Sequence, residues 1–404
     1  MIKRFLNYSG VIYLNQICNI FISVMLIKYV SLSVLGDVTI AKVWMRLIDY
    51  SHLGLRFSVD RYCPIWTERQ RRLLFVQTIL VSTIVSFIVL CISLLFSDNI
   101  LFNSLFILFG YAVSVFTILK NYFRAINEQN KMILTFFFVP FVPSVIQTFV
   151  LFFLGFDYYL YSFIFLFVTC LIALMYICIF KFDFRSFSFA KIKYIFKRTY
   201  KNSSLLFVNS ILLFLIFAVD RVLLKFHTDS ETVGEYSIIL FGFTLLLIVP
   251  NSLSEFFYSK IILNTVKKNK FFYKKEMLMT FLMTVFLVIV ASLLSPVFFS
   301  LFLSEHANLS DNFRLLLLGV IPYAFLPILN QVLVAADKEV LLIKSAVLLL
   351  VIDIIFLMCV VYVGSDVLHG FVVVKIILPF INLGLYLFMV KRLSDYQCGE
   401  VDAV

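Results

Sequence analysis

Long apolar segments alternate with short polar segments along the whole chain. Each segment is apolar for about 20 residues, the length that a transmembrane helix needs, and lacks the apolar–polar alternation of membrane barrel strands. The pattern predicts about twelve spanning helices, at 8–30, 34–57, 73–97, 100–123, 132–155, 157–180, 203–226, 234–258, 277–301, 311–334, 345–364 and 369–390. The predicted fold class is therefore an all-α membrane protein.

The composition indicates that lipid surrounds these segments. Of the 404 residues, 62% are hydrophobic and 14% are charged, whereas a soluble domain is about 45–50% apolar and about 25% charged. A soluble core of this size would leave much of the Phe, Leu, Ile and Val in water. We therefore expect a multi-pass protein.

Basic residues are concentrated in every second segment between the predicted spans. Most of the 34 Lys and Arg fall in the segments that are cytoplasmic if the N-terminus is cytoplasmic. This asymmetry is the positive-inside pattern, and it predicts that both termini are cytoplasmic. The net charge of +11 is then a feature of topology and of contact with anionic membrane lipid, and we expect no nucleic-acid partner.

A long basic segment divides the chain near its middle. Residues 181–202, KFDFRSFSFAKIKYIFKRTYKN, interleave aromatic with basic side chains at rough helical spacing, which favours an amphipathic helix on the cytoplasmic membrane face over a solvated linker. The predicted domains are an N-terminal lobe of six helices at 1–180, this linker at 181–202, a C-terminal lobe of six helices at 203–390 and a cytoplasmic tail at 391–404.

The two halves repeat a short pattern after their first helix. VLGDVTI at 34–40 leads into the second span, and TVGEYSI at 232–238 leads into the eighth. In both, a glycine (Gly36 or Gly234) is followed by an acid and then by Thr39 or Ser237. Internal repeats that face a common site are typical of transporters.

Two motifs carry a resemblance to a known family: Asp220-Arg221 followed by Val233-Gly234-x-Tyr236-Ser237, and Leu35-Gly36 leading to Gly54, with Arg56 and Arg61 beyond. The chain resembles the polysaccharide (O-antigen) flippases of the multidrug/oligosaccharidyl-lipid/polysaccharide exporter superfamily. The resemblance implies a MATE-like fold of two six-helix lobes and alternating access. It also implies a polyprenyl-pyrophosphate-linked oligosaccharide as cargo, carried to the periplasmic leaflet of the bacterial inner membrane for lipopolysaccharide or other polysaccharide biosynthesis, with the polymerase as a partner protein.

Charged residues inside the predicted spans are the candidate functional residues. Lys42, Arg46 and Asp49 are spaced i, i+4, i+7 and therefore share one helical face. A charge at mid-bilayer costs about 2.5–3.5 kcal/mol on insertion scales and usually faces water or a partner. We expect this face to border a wet cavity or the other half of the protein.

Five bases are candidate substrate-binding residues: Arg46, Arg221, Lys42, Lys375 and Lys225. Clustered bases suit a phosphate or pyrophosphate, which Arg can bind in a bidentate manner. The alternative is internal pairing, of Arg46 with Asp49 or of Arg221 with an acid on another helix, while Lys225 would extend to the outer interface.

Three intramembrane acids are candidate ion-coupling residues: Asp49, Asp220 and Asp353. Each would carry a coupling proton or sodium ion, or would serve as a counter-ion for the bases. The seven cysteines and four histidines show no paired metal-ligand spacing. We therefore expect no metal, no other cofactor and no catalytic residue.

Two other function classes remain open. An O-antigen polymerase or another membrane glycosyltransferase is expected to need a sizeable outer loop with catalytic residues, but the longest predicted outer loop, about 302–310, has only Glu305 as an acid. A drug/cation antiporter of the same fold is expected to have an acidic cavity. The excess of bases in the predicted spans argues against it.

Overall fold

A computed structural model describes residues 2–63, 66–96, 100–126, 128–137, 141–156, 189–266, 274–336, 338–364 and 366–399. Every regular element within these ranges is helical, which confirms the predicted all-α class. The first half contains α1 (Ile2–Tyr29), α2 (Leu32–Ile48), α3 (Leu55–Tyr62), α4 (Glu68–Phe96), α5 (Ile100–Ala125), α6 (Gln129–Phe136) and α7 (Val142–Phe153). The second contains α8 (Phe189–His227), α9 (Ser230–Val266), α10 (Lys274–Phe302), the 3-10 helix η1 (Ser304–Leu309), α11 (Ser310–Leu317), the 3-10 helix η2 (Leu318–Ala324), α12 (Leu326–Ala335), α13 (Glu339–Val363) and α14 (Val367–Gly399).

Eight helical segments among the described residues are long and apolar enough to cross a membrane. They are Glu68–Leu94, Asn103–Phe123, Ser203–His227, Ser230–Ser254, Lys274–Phe302, Ser304–Val334, Glu339–Val363 and Val367–Lys391. Only 17% of the apolar 18-residue segment within α10 is buried. Its exposed Leu and Phe side chains therefore need a lipid environment. The chain is a multi-pass membrane protein. The predicted span 157–180 lies outside the described residues.

The predicted second span, 34–57, is wrong in its boundary, because the helix breaks inside it. α2 ends at Ile48 and α3 begins at Leu55, with a turn between them. Leu53 and Gly54 both have positive φ, at 46° and 89°, and a Cβ on Gly54 would lie 2.9 Å from the carbonyl oxygen of Ser203. Glycine is needed here both for its backbone conformation and for the close approach of α8.

The span Ser304–Val334 is composed of four short helices rather than one. η1, α11, η2 and α12 follow one another along it, and Pro322 lies inside η2. Proline removes a backbone donor and prevents a regular α-helix. Such irregular backbone is tolerated at membrane depth only where protein or water satisfies its polar groups, and most of η2 is accordingly buried.

The packing of the chain divides it into two compact units. Unit 1 consists of Met1–Ser31 and Asp37–Ile211, and unit 2 of Leu32–Gly36 and Leu212–Val404. α3, α4 and α5 form an apolar core in unit 1, around Leu74, Phe75 and Val115. The described part of the predicted linker, from Phe189, is continuous with α8. The predicted lobe boundaries and the cytoplasmic placement of both termini remain predictions.

The first turns of α2 and α9 pack together within unit 2. A Cβ on Gly36 would collide with the carbonyl oxygen of Ser230, and a Cβ on Gly234 would collide with that of Leu32. The two glycines of the repeated sequence pattern thus meet each other's helix in a reciprocal way. Just before α9, Asp229 accepts hydrogen bonds from the backbone N–H and hydroxyl of Thr232, and these bonds hold the pKa of Asp229 below its usual range.

Candidate functional site

The carboxylate of Asp220 is the centre of a buried polar cluster in unit 2. Its Oδ1 accepts a hydrogen bond of 2.8 Å from the backbone N–H of Arg221. Its Oδ2 accepts a hydrogen bond of 2.8 Å from the Tyr236 hydroxyl and lies 2.8 Å from Nζ of Lys375. Both carboxylate oxygens are therefore satisfied, as an ionised group removed from solvent requires.

Lys375 is the base that neutralises Asp220. Its side chain is 5% exposed and that of Asp220 is 1% exposed. The ammonium also donates to the backbone carbonyl of Ile216 at 3.0 Å and lies 5.3 Å from the ring centroid of Phe217. Lys375, predicted as a substrate-binding base, is held inside unit 2 by these contacts.

An apolar layer shows how the three helices around this pair are arranged. Ile216 on α8, Leu349 on α13 and Leu378 on α14 form one buried cluster. Ile216 and Leu378 pack in one layer while Asp220 pairs with Lys375, so α8 and α14 run antiparallel here. The rings of His227 and Tyr362 lie 6.4 Å apart, so α8 and α13 run parallel.

Asp353 lies at the same depth as the Asp220–Lys375 pair. Asp220 follows Ile216 by four residues, Asp353 follows Leu349 by four, and Lys375 precedes Leu378 by three. Each step is about one helical turn, roughly 4.5–6 Å, and all three lead in the same direction from the apolar layer. The charges of Lys375 and Asp220 accordingly act on Asp353. We call Asp220, Tyr236, Asp353 and Lys375 the buried charge cluster.

The carboxyl group of Asp353 is buried without a hydrogen-bond partner. The residue is 0% exposed, and both of its side-chain oxygens are enclosed and unbonded. It lies on the packed face of α13, with Ala346, Leu349 and Leu357. An ionised carboxylate in such surroundings is strongly disfavoured. This acid therefore differs from Asp220, although the sequence presents both as single acids in apolar helices.

Arg221 is half-buried beside the buried charge cluster, and its Nε is enclosed without a hydrogen-bond partner. The predicted alternative was a pair between Arg221 and an acid on another helix. The acid next to it, Asp220, instead pairs with Lys375 and contacts Arg221 through the backbone N–H. Arg221 thus keeps an enclosed donor that the described protein does not use.

Lys225, one turn further along α8, donates a hydrogen bond to the Ser230 hydroxyl. This bond joins the end of α8 to the start of α9. Lys225 also acts on the carboxylate of Asp229, which caps α9. The extension of Lys225 toward the outer interface remains a prediction.

The predicted charges of unit 1 lie along α2 and the turn that follows it. Lys42 is half-buried and Arg46 is exposed. Asp49 accepts two hydrogen bonds from Nη1 of Arg56, at 2.9 and 3.0 Å, across the break between α2 and α3. The sequence predicted Arg46 as the pairing alternative for Asp49. The break, which hydropathy does not show, is what brings Arg56 within reach.

Sequence reasoning missed two buried polar residues. Tyr236 belongs to the motif that follows Asp220-Arg221, yet its hydrogen bond to Asp220 was not predicted. His52 is 1% exposed, and its Nδ1 accepts a hydrogen bond from the backbone N–H of Gly54. Gly54, two residues after His52, and Tyr236 in the motif after Asp220-Arg221 were the available signals.

Comparison with known proteins identifies the fold and then the family. Three solved structures of low sequence identity share the fold. A lipid II flippase MurJ in an inward closed conformation has a TM-score of 0.70 at 16% identity, covering 95% of this chain and 87% of that one. An inward-facing multidrug resistance MATE family transporter of the MOP superfamily has a TM-score of 0.65 at 16% identity, covering 94% and 96%. A MOP superfamily transporter from Pyrococcus furiosus, described by a binding pocket of reverse polarity, has a TM-score of 0.63 at 14% identity, covering 96% and 94%.

The chain therefore has the fold of MOP superfamily transporters. Residues 2–259 match the polysaccharide biosynthesis protein family. Because this match covers more than half of the 404 residues, the chain belongs to that family, and the resemblance found in its sequence is confirmed. No curated protein sequence matches the chain.

Proposed function

We propose that this protein is a flippase that moves a polyprenyl-pyrophosphate-linked oligosaccharide from the cytoplasmic to the periplasmic leaflet of the bacterial inner membrane. The cargo is an O-antigen or other surface-polysaccharide repeat unit, which a polymerase then uses. The observation that carries the proposal is a transporter fold, shared with a lipid II flippase, in a chain of the polysaccharide biosynthesis family. The protein makes and breaks no covalent bond in this role.

The intramembrane bases support an anionic cargo. Arg221 has an enclosed Nε with no hydrogen-bond partner, and a guanidinium in low dielectric binds phosphate oxygens strongly. In unit 2 we assign Arg221 to binding the pyrophosphate of the cargo, with Lys225 nearer the helix end. In unit 1 we keep Arg46 and Lys42 as candidate substrate-binding residues. Lys375 is already paired with Asp220, so we remove it from the substrate-binding set.

The basic character of these residues distinguishes this proposal from a drug/cation antiporter of the same fold. A cationic drug would be repelled by the guanidinium of Arg221, whose enclosed Nε has no hydrogen-bond partner. One structure that shares the fold is described by a binding pocket of reverse polarity and a different function. The fold is thus compatible with binding pockets of different polarity.

Lipid sidedness in cells lacking the gene tests the proposal. We expect complete lipid-linked repeat units to accumulate and to stay inaccessible to a membrane-impermeant label applied to spheroplasts, until the gene is restored. Single repeat units that are labelled at the outer face but not joined would instead identify a polymerase. Product formation by the purified protein from defined lipid-linked sugars would identify a glycosyltransferase.

A matched pair of variants tests the assignment of Arg221. We expect Arg221→Ala to abolish restoration of labelling, because it removes the enclosed donor. Arg314→Ala is the control, because Arg314 is exposed and donates only to the carbonyl of Ser292 among its described hydrogen bonds. Equal activity of both variants in correctly inserted protein would refute the role of Arg221.

A further inference from the structure

The buried charge cluster contains two carboxyl groups and one ammonium. Asp220 and Lys375 neutralise each other at 2.8 Å. If Asp353 were also ionised, unit 2 would enclose a carboxylate whose oxygens accept no hydrogen bond. Burial of such a charge is far more costly than burial of the neutral acid. Arg221 lies beside the cluster, but the oxygens of Asp353 accept no hydrogen bond from it, so a bound proton is what neutralises this carboxyl group.

We infer that Asp353 is a proton-carrying residue that couples transport by this protein to the proton gradient. This inference rests on the proposed transport function and adds the coupling ion and its site to it. Asp353 binds the proton as a neutral acid while Lys375 stays with Asp220. Only Asp353 exchanges its proton, because the Asp220 carboxylate is fixed by Lys375, Tyr236 and the Arg221 backbone N–H.

The groups around Asp353 favour a proton over a metal cation. Asp220 on α8, Lys375 on α14, Tyr236 on α9 and Tyr323 in η2 are the titratable groups that interact with it. The Lys375 ammonium would repel a metal ion, whereas a proton on Asp353 forms a neutral carboxylic acid. A hard cation also takes several oxygen ligands, and the part of the chain that the structure describes contains no set of three or more His, Cys, Asp or Glu that could hold a metal.

The position of Asp353 links its protonation to conformation. It is enclosed where α13 packs against its neighbours, one turn from the apolar layer of Ile216, Leu349 and Leu378. Asp353 can release its proton only when water or the Lys375 ammonium reaches it. Either event requires these helices to rearrange at that depth, so proton release and helix rearrangement occur together.

Infrared spectroscopy of the purified protein in lipid tests the proton occupancy directly. We expect a carbonyl band of a protonated carboxylic acid at neutral pH, which disappears in Asp353→Asn. Glu231→Gln is the matched control and should leave the band unchanged, because Glu231 is an exposed acid in the first turn of α9. A band that persists in Asp353→Asn would overturn the inference. Asn is nearly isosteric with the neutral acid, and Asp353→Glu gives a second variant that should retain a band.

Reconstituted vesicles test the coupling. The probe is lipid-linked oligosaccharide extracted from cells that lack the gene. We expect an imposed pH gradient to accelerate its translocation by the wild-type protein and the Glu231→Gln variant, and Asp353→Asn to lose this acceleration while it still equilibrates the probe. Acceleration by a sodium gradient alone would overturn the inference.

The two assays separate the two proposals. A wild-type protein that shows the infrared band but never moves the probe would refute the flippase function and leave the proton site standing. A protein that moves the probe but lacks the band would refute the proton site alone.

Discussion

Two acid–base pairs of similar length lie in different surroundings in the two units. Arg56 and Asp49 of unit 1 are 2.9 Å apart, with side chains 18% and 35% exposed. Lys375 and Asp220 of unit 2 are 2.8 Å apart, with side chains 5% and 1% exposed. Because water and salt screen the first pair and not the second, the distance alone does not give the strength of either ion pair. Burial decides how much each ion pair contributes to the stability of its unit.

The two pairs also differ in how the chain forms them. Asp49 and Arg56 are close in sequence and meet across a helix break, which requires only the local turn at Leu53 and Gly54. Asp220 and Lys375 are brought together by packing of α8 against the last helix, α14. A local pair can form and break with its turn, whereas the distant pair depends on the whole of unit 2.

The largest effect is expected for Lys375→Met. It leaves the Asp220 carboxylate buried without its counter-ion, which costs about 3–5 kcal/mol. Chemical unfolding of the purified protein measures this loss. The double variant Asp220→Asn with Lys375→Met removes both charges and should recover most of the stability. If Lys375→Met is as stable as the wild type, burial does not distinguish the two pairs.

A smaller effect is expected for Tyr236→Phe. The hydroxyl donates to an ionised, fully buried acceptor at 2.8 Å, and hydrogen bonds to charged groups contribute about 1.5–3 kcal/mol. Tyr111→Phe in unit 1 is the control, since its hydroxyl shares a 2.7 Å hydrogen bond with the neutral Thr83. We expect the unfolding midpoint to fall further for Tyr236→Phe. Equal shifts would show that the acceptor at Tyr236 is not ionised.

The smallest effect is expected for Arg56→Gln. A partly exposed pair contributes about 1 kcal/mol or less, so the variant should unfold close to the wild type. Raising the salt concentration should narrow this difference further and leave the effect of Lys375→Met unchanged. A loss as large as that of Lys375→Met would mean that the Arg56–Asp49 pair is enclosed in the functional state.

Hydropathy predicted the apolar helices well because a long apolar segment has few alternatives to spanning a membrane. The predicted segment 345–364 corresponds to Glu339–Val363 and 369–390 to Val367–Lys391. The break in the second span escaped prediction because it depends on two backbone torsions, and Leu53 in the left-handed region carries no hydropathy signal.

The candidate site was predicted by residue type and not by partner. Intramembrane charge singled out Asp220, Asp353 and Lys375, because unpaired charges in lipid are costly wherever they occur. The acid that pairs with Lys375 is determined by how α8 and α14 pack. Helical periodicity within one segment carries no information about packing between helices. Tyr236 was missed because a tyrosine in an apolar helix resembles any other large side chain.

Asp220 and Lys375 are far apart in the sequence, and this separation has a consequence for the synthesis and membrane insertion of the protein. α8 leaves the ribosome well before α14, and at about 5–20 residues per second Asp220 enters the membrane on the order of ten seconds before Lys375 is made. During that interval the acid has no counter-ion and resides in the bilayer as a neutral group or near water. Arrival of α14 neutralises it, so a nascent chain that stops before α14 has an intramembrane acid without its counter-ion.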